Sequence, residues 1–277
     1  MLDEWVGRSQ RTTDWITAGR VAAWHATLDR AADSPRDGDE APLGFHWTLA
    51  PAIARESELG PDGHPRRGGF LPPVELPRRL WAGSRVTFHR PLRVGERVER
   101  LSEIASITEK PGRESPLVFV TVRHRLSGGD GLAIEEEQDL VYRGAAGAAA
   151  SRDAGRDETI ATWKRIIHPT ETLLFRFSAL TFNTHRIHYD RRYVMETEGY
   201  PGLVVHGPLI ATLLTDLLRR ERPDARIAAF AFRAVSPLFD IAPFTLRGSP
   251  AGDGKTIRLC ATNREGGLAM DARATLA

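Results

Sequence analysis

An α+β fold in two similar halves is what this sequence predicts, each half a helix laid against an antiparallel sheet. Three observations carry the expectation. A helical stretch near the N-terminus is followed by a run of strand-like segments, and helices followed by strands recur after residue 160. Between the two runs lies GAAGAAASRDAGRDE (144–158), small and polar without periodicity, the composition of a linker. Finally, VTFHRPLRVGE (86–96) echoes FAFRAVSPLFDIAP (230–243). Each passes from an apolar strand into Pro-Leu and a turn, and Pro91 and Pro237 stand about half the chain apart. The expected division is 1–145, a linker at 146–160, and 161–277.

In order along the chain, residues 13–31 place Val21, Ala22, Trp24, His25 and Leu28 near helical spacing, which predicts an amphipathic helix. Residues 56–76 (ESELGPDGHPRRGGFLPPVEL) are rich in Gly, Pro and charge and read as a long loop, of a size that usually serves function or covers something. Alternating or β-rich runs at 85–90, 97–108, 116–126 and 133–142 predict antiparallel strands, with SGGDG (127–131) as a turn. In the second half, LLFRFSAL (173–180) is a strand candidate. Residues 190–198 read as a short helix, with Asp190 at the N-cap and Gly199 as the stop. GPLIATLLTDLLRR (207–220) is a longer apolar helix, with Pro208 suited to its first turn and Arg219 and Arg220 to its C-terminal end. Strands are expected at 226–235, 244–248, 256–261 and 268–276.

Composition narrows the function. The chain has 277 residues, 41% hydrophobic and 27% charged, with a formal net charge of +2. These are the proportions of a globular protein, and the charge is not a nucleic-acid footprint. The single cysteine, Cys260, rules out an internal disulfide and a cysteine-based zinc site, and it suits a reducing compartment. No stretch approaches the ~20 apolar residues of a membrane span. The first residues, MLDEWVGRSQ, put acidic side chains where a signal peptide would be basic. The expected location is therefore the cytoplasm. Lysine occurs only at Lys110, Lys164 and Lys255, so nearly all of the 38 basic side chains are arginines. A GC-rich genome explains that bias, and so do forks for carboxylate or phosphate.

Three of the nine histidines fall between residues 185 and 206. FNTHRIHYD (182–190) presents Asn183, His185 and His188 ahead of the short helix, and His206 and Gly207 open the long one. Three readings stand beside one another. His185 and His188 could reach one metal ion with Asp190 nearby, although His-x-x-His lacks a recognisable third ligand. The side chains could be satisfied polar residues of a loop. Or they could perform acid–base chemistry next to a carbonyl. Imidazole titrates near neutrality, a helix start offers unpaired N–H groups and positive dipole charge, and Gly207 lets a ligand approach that backbone. The last combination suits addition of water across an α,β-unsaturated thioester, through an enolate.

The window resembles the (R)-specific enoyl-CoA hydratase, MaoC-like family, also called 3-hydroxyacyl-thioester dehydratase type 2. That family's pattern is roughly Asp-x-Asn-Pro-x-His, a short helix, then an apolar stretch ending in His-Gly. Here the spacing survives as 183–188 (NTHRIH) and 202–207 (GLVVHG), and GRVAAWHATLD (19–29), GFHWTLAP (44–51) and GGFLPPVELPRRLWAG (68–83) also look like family members. The resemblance covers most of the chain. It implies a double hotdog, two halves each with a long helix wrapped by a curved sheet, in which the half without the motif shapes the acyl pocket. Two positions depart from the pattern: Asn183 stands at the family's Asp and His185 at its Asn, while His188 keeps its His.

The FNxHRIHYD variant looks like the branch of mesaconyl-CoA and itaconyl-CoA hydratases, and also like mitochondrial fatty-acyl dehydratases of the same type. The implied roles are His188, Asn183 and His185 for catalysis, with the backbone of Gly207 beside His206 holding the thioester carbonyl. Arg186, Arg191 and Arg192 are candidates for CoA phosphates or a substrate carboxylate, although for each a solvated helix face is the plainer reading, and Tyr189 is a candidate orienter. No metal and no cofactor is expected beyond coenzyme A within the acyl-CoA substrate, and neither nucleic acid nor membrane as partner. A monomer and a homodimer are equally open. A hotdog thioesterase and a non-catalytic acyl-thioester binding protein are the rival functions. A thioesterase needs a carboxylate or equivalent base, and 183–188 offers no carboxylate.

Overall fold

The computed structural model describes residues 2–112, 116–144 and 161–277. The expected linker, 146–160, lies outside the described residues. The first half contributes β1 (Ser9–Trp15), α1 (Ala18–Thr27), β2 (Arg78–Phe88), β3 (Arg97–Lys110), β4 (Leu117–Gly128) and β5 (Gly131–Arg143). The second contributes β6 (Trp163–Ile167), α2 (Glu171–Thr181), α3 (Arg191–Glu196), α4 (Gly207–Glu221), β7 (Ile227–Ala234), β8 (Phe244–Pro250), β9 (Thr256–Thr262) and β10 (Leu268–Leu276).

Among the described residues ten strands form one sheet in the order β1-β3-β4-β5-β2-β7-β10-β9-β8-β6, and the paired strands are antiparallel. Read outward from its centre, each half has the same arrangement. The second strand of each half (β2 or β7) is central, followed by its fifth, fourth and third, and its first (β1 or β6) forms the edge. The two central strands pair from Gly83↔Arg233 to Thr87↔Ala229, so the halves meet through main-chain hydrogen bonds. These are also the strands that lead into the two Pro-Leu turns.

Eleven consecutive residues of α4, Pro208 to Leu218, are buried, because the helix packs on β8, β9 and β10 and reaches across to β2. A helix apolar on every face can exist in water only when it is surrounded in this way. Among the described residues the first half has no helix of that length. Its α1 has ten residues and packs on α2, with Trp24 against Phe45 and Phe177. Residues of β2–β5 instead help to line a cavity. A second apolar cluster, centred on Ile104, Val120 and Tyr142, is covered by Phe70, Leu71 and Leu76 from the long loop and by Leu2 and Trp5.

Two expected elements differ. The stretch 13–31 is not all helix: β1 runs to Trp15, and α1 begins after Thr17, whose hydroxyl accepts the Arg20 N–H. Residues 173–180 form part of α2 and not a strand. Thr170 caps that helix by accepting the Leu173 N–H at 3.2 Å, and Leu174, Phe177 and Ser178 are buried at helical spacing while Phe175 stays exposed.

Candidate active site

The motif residues are held by local turns. Helix α2 ends at Phe182, which takes a left-handed conformation (φ 51°). Asn183 follows, and its side-chain oxygen accepts the His185 N–H at 3.0 Å, an Asx turn that fixes the chain direction. A 3₁₀ turn, Arg186–His188, carries His188 into the interior. Asp190 caps α3 by accepting the Tyr193 N–H at 3.0 Å, the role expected of it.

His188 is buried, and its Nδ1 lies 2.7 Å from the Val204 carbonyl oxygen. A carbonyl only accepts, so Nδ1 carries the proton and Nε2 keeps its lone pair. The ring stacks on His206, with centroids 3.7 Å apart and an interplanar angle of 18°. His206 is fully buried behind it, with Nε2 2.8 Å from the Ser178 hydroxyl. The next residue, Gly207, begins α4 and lines the cavity. A Cβ there would meet nothing closer than the Trp81 carbonyl oxygen at 4.0 Å, so the first turn of the helix is open to a ligand. Burial pushes the His188 imidazole down to about 4 and that of His206 well below its ordinary value. At neutral pH both are uncharged, and His188 presents a base.

The long loop comes from the other half of the chain and lies on this motif. The Arg186 N–H donates to the Asp62 carbonyl at 2.9 Å, the Arg186 guanidinium to the Pro61 carbonyl at 2.9 Å, and the Thr184 hydroxyl to the Gly63 carbonyl. His64 is brought face to face with His185, centroids 4.1 Å apart, and His185 meets His188 edge-on at 5.4 Å. Nδ1 of His64 is 3.0 Å from a carboxylate oxygen of Asp62. Burial, with the Arg79 charge added, holds His64 at about 4, against the pull of Asp62. His185 is lowered further by burial and by the neighbouring His64. One donor atom each from Asp62, His64 and His185 lies within 4.8 Å of the others, the spacing of groups that could share a metal ion.

These groups open on a cavity of about 940 Å³. His64, Asn183, His185, His188 and Gly207 line it, as do Arg79, Arg100, His124 and Glu136 from the first half, and the Arg79 charge acts on both His64 and His185. Arg100 is held by the Ser102 hydroxyl, His124 Nδ1 and the Leu49 carbonyl, each at 3.3 Å. Burial lowers His124 to about 3. Burial alone would raise the Glu136 carboxyl, but His46 and His124 draw it down to about 2. The Arg79 backbone pairs with Tyr142 in the sheet, and its guanidinium makes no hydrogen bond or ion pair with the described residues.

The structure thus brings Asn183, His185, His188 and Gly207 together, with His206 as backing. It does not bring Arg186, Arg191, Arg192 or Tyr189 to the cavity. Arg186 pairs with Asp190 at 2.8 Å, Arg191 with Glu171 and Asp240, and exposed Arg192 with Glu196 at 2.9 Å, while the Tyr189 hydroxyl donates to the Thr184 carbonyl at 3.0 Å. These arginines fasten turns and helices. The cavity arginines, Arg79 and Arg100, and the Asp62–His64 pair were not singled out in the sequence. For His64 a signal existed: a His next to an Asp-Gly turn, inside a loop too long to be only a connection.

Comparison with known proteins shows the family and the fold. Residues 44–240 match the family model described as hydroxyacyl-thioester dehydratase type 2. The chain is 46% identical over 275 residues to the mesaconyl-C(4)-CoA hydratase of Chloroflexus aurantiacus, covering 98% of this chain and 96% of that one. Among solved structures, a MaoC-like dehydratase from Phytophthora capsici superposes with a TM-score of 0.73 at 15% identity, covering 100% of this chain and 99% of that one. A Mycobacterium tuberculosis protein described as a double hotdog gives 0.61 at 15% identity, covering 98% and 96%. The fold is a double hotdog, and the chain belongs to the hydroxyacyl-thioester dehydratase type 2 family of hydratases and dehydratases.

Proposed function

We propose that the protein is a hydro-lyase that reversibly hydrates a short α,β-unsaturated acyl-CoA, a branched dicarboxylyl thioester such as mesaconyl-CoA or itaconyl-CoA, with no cofactor besides the coenzyme A of its substrate. The observation that carries this reading is the fixed tautomer of His188. Its Nδ1–H is spent on the Val204 carbonyl, so the basic Nε2 is set in the cavity that also exposes Gly207 at the start of α4. The thioester oxygen sits at the N–H groups of that first turn, where enolate charge develops. Water held by His188 attacks the β-carbon. The dicarboxylyl preference is supported by the 46% identity to a mesaconyl-C(4)-CoA hydratase and by the cavity wall. A wall carrying Arg79, Arg100, His124 and Glu136 is costly to cover with a long alkyl chain, and Arg79 offers an unshared fork for a second carboxylate. The reducing cytoplasm is the compartment this reading assigns.

The test is the loss of enoyl-thioester absorbance with mesaconyl-CoA, itaconyl-CoA and crotonyl-CoA side by side. Hydration of a dicarboxylyl substrate is expected, with His188→Ala lowering kcat by about 10²–10⁴-fold. Arg79→Met is expected to lower kcat/KM on the dicarboxylyl substrates at least tenfold more than on crotonyl-CoA. Acyl-CoA binding with no absorbance change on any of the three would replace the hydratase by a binding protein.

A further inference from the structure

Residues 183–188 contain no carboxylate: Asn183 stands where the resembling family has Asp, and its side-chain oxygen is occupied by the His185 N–H. A carboxylate reaches the site from the other half of the chain. Asp62 lies in the long loop, does not line the cavity, and accepts Nδ1 of His64 at 3.0 Å, its carboxylate also lying within 4.8 Å of a ring nitrogen of His185. Asp62 also accepts the His64 backbone N–H at 3.0 Å, so the pair is rigidly set. The loop is fastened to 184–186 by the hydrogen bonds of Pro61, Asp62 and Gly63, which fixes His64 relative to His185 and His188.

We propose that His64 is a further catalytic residue of the hydration, its ring positioned and its imidazolium stabilised by Asp62. The proposal rests on the hydratase reading. Nδ1–H donates to Asp62, so Nε2 of His64 is the basic nitrogen on the cavity side. As the water oxygen bonds to the β-carbon, one water proton passes to Nε2 of His64, and the π electrons of the double bond move to the thioester oxygen as an enolate. The same proton then returns from His64 to the α-carbon and the carbonyl re-forms, so that one water has been added and the protein is unchanged. His188 accepts the second hydrogen of the water as a hydrogen bond and aims its oxygen. The division follows from the partners. An imidazolium beside a carboxylate is stabilised by an ion pair, whereas His188 is backed only by a neutral carbonyl and a second imidazole. His64 is neutral and basic at pH 7, at about 4, with Asp62 opposing the lowering by burial and Arg79.

The experiment is steady-state hydration by the full chain, with thermal melts to verify folding. His64→Gln is expected to lower kcat by about 10²-fold or more with KM within about threefold of wild type. Asp62→Asn is expected to lower kcat by about tenfold and to move the acid limb of kcat/KM to lower pH. The charged and titratable groups facing His64 are Asp62, Arg79, Arg67, His185 and His188, and only the one that raises its pKa is removed. A folded His64→Gln with kcat within threefold of wild type overturns the proposal, as does an Asp62→Asn limb that stays in place. Wild-type activity lost to a chelator and restored by zinc also overturns it, since Asp62, His64 and His185 would then be metal ligands. Wild type inert on all three thioesters rejects the hydratase reading and the dyad together, whereas active wild type with active His64→Gln rejects the dyad alone.

Discussion

Gly63 shows how much of the site depends on a single backbone position. Its φ is +86°, and a Cβ there would stand 1.9 Å from the Thr184 carbonyl oxygen, so both conformation and space require glycine. The Thr184 backbone cannot yield without displacing Asn183 and His185 on either side. Gly63→Ala is therefore expected to lift the loop from the motif at a cost of about 1–3 kcal/mol, moving His64 while leaving the sheet intact. The Arg186 amide, which donates to the Asp62 carbonyl, reports this directly. Its hydrogen exchange should rise by about 5- to 100-fold in Gly63→Ala, and hydration should fall. Gly69→Ala, in the same loop with nothing within 4 Å, should do neither. Unchanged exchange at Arg186 would show that the loop is not held here. At this scale the sequence was partly legible. His188 and Gly207 could be placed because a His and a helix start are local signals. His64 and Arg79 could not, because their proximity to His185 is a product of tertiary packing across more than 100 residues of chain. For the three arginines of 186–192 the sequence left a solvated helix face and an anion site both open: charge shows that a side chain will seek an anion, but not that Asp190, Asp240 and Glu196 are the anions it meets in the fold.

Among the elements, α4 was readable from end to end, since Pro, a long apolar run and terminal arginines are signals within one segment. Helix α2 was not. Phe175 interrupts its polar face, and a mostly apolar stretch of eight residues suits a strand and a buried helix equally; the Thr170 cap was the local signal that distinguished them. The polar residue inside α4 marks what the helix is fastened to. Asp216 is almost fully buried and faces Arg165 of β6 and Arg220 at 2.7 Å each, with Arg30 beyond α1 at 3.4 Å. Arg220 goes on to donate to the Leu28 and Asp29 carbonyls. One carboxylate therefore ties α4 to an edge strand of its own half and to the end of α1 in the other. Asp216→Asn keeps the shape and removes the charge, leaving three guanidinium groups crowded together. A loss of roughly 2–4 kcal/mol is expected, the lower part of the usual range for a broken buried pair because the arginines are partly solvated. The readout is the urea midpoint at constant slope. A change below about 0.5 kcal/mol would show that the arginines are satisfied without Asp216.

At the scale of the whole molecule, two topologically equivalent halves share one sheet and one core. The pairing of β2 with β7 is continuous main-chain hydrogen bonding, and the larger apolar cluster contains α1 and Val86 from the first half with α4 and Phe230 from the second. Neither half can open without exposing the other's central strand, so a single calorimetric transition is expected, with equal calorimetric and van't Hoff enthalpies. The same transition should depend on acid in a definite direction. His64, His124 and His188 lie in different elements of both halves and are held neutral, at about 4, 3 and 4, chiefly by burial. The unfolded chain binds their protons near the ordinary value of 6.5, well before the folded one does. Above pH 6.5 both states are neutral and these groups do not affect stability. As pH falls from 6.5 to about 4 the unfolded state takes up protons that the folded state refuses, and stability falls by up to about 1.4 kcal/mol per pH unit for each histidine. The melting temperature should therefore drop steeply between pH 6.5 and 4, as one transition throughout. His124→Gln, which removes a proton site outside the motif, should flatten that slope by at most about a fifth, since burial holds His185 and His206 neutral as well. Two resolved transitions at any pH in this window would mean that the halves fold as separate units, and a flat profile would mean that the buried imidazoles bind protons while folded.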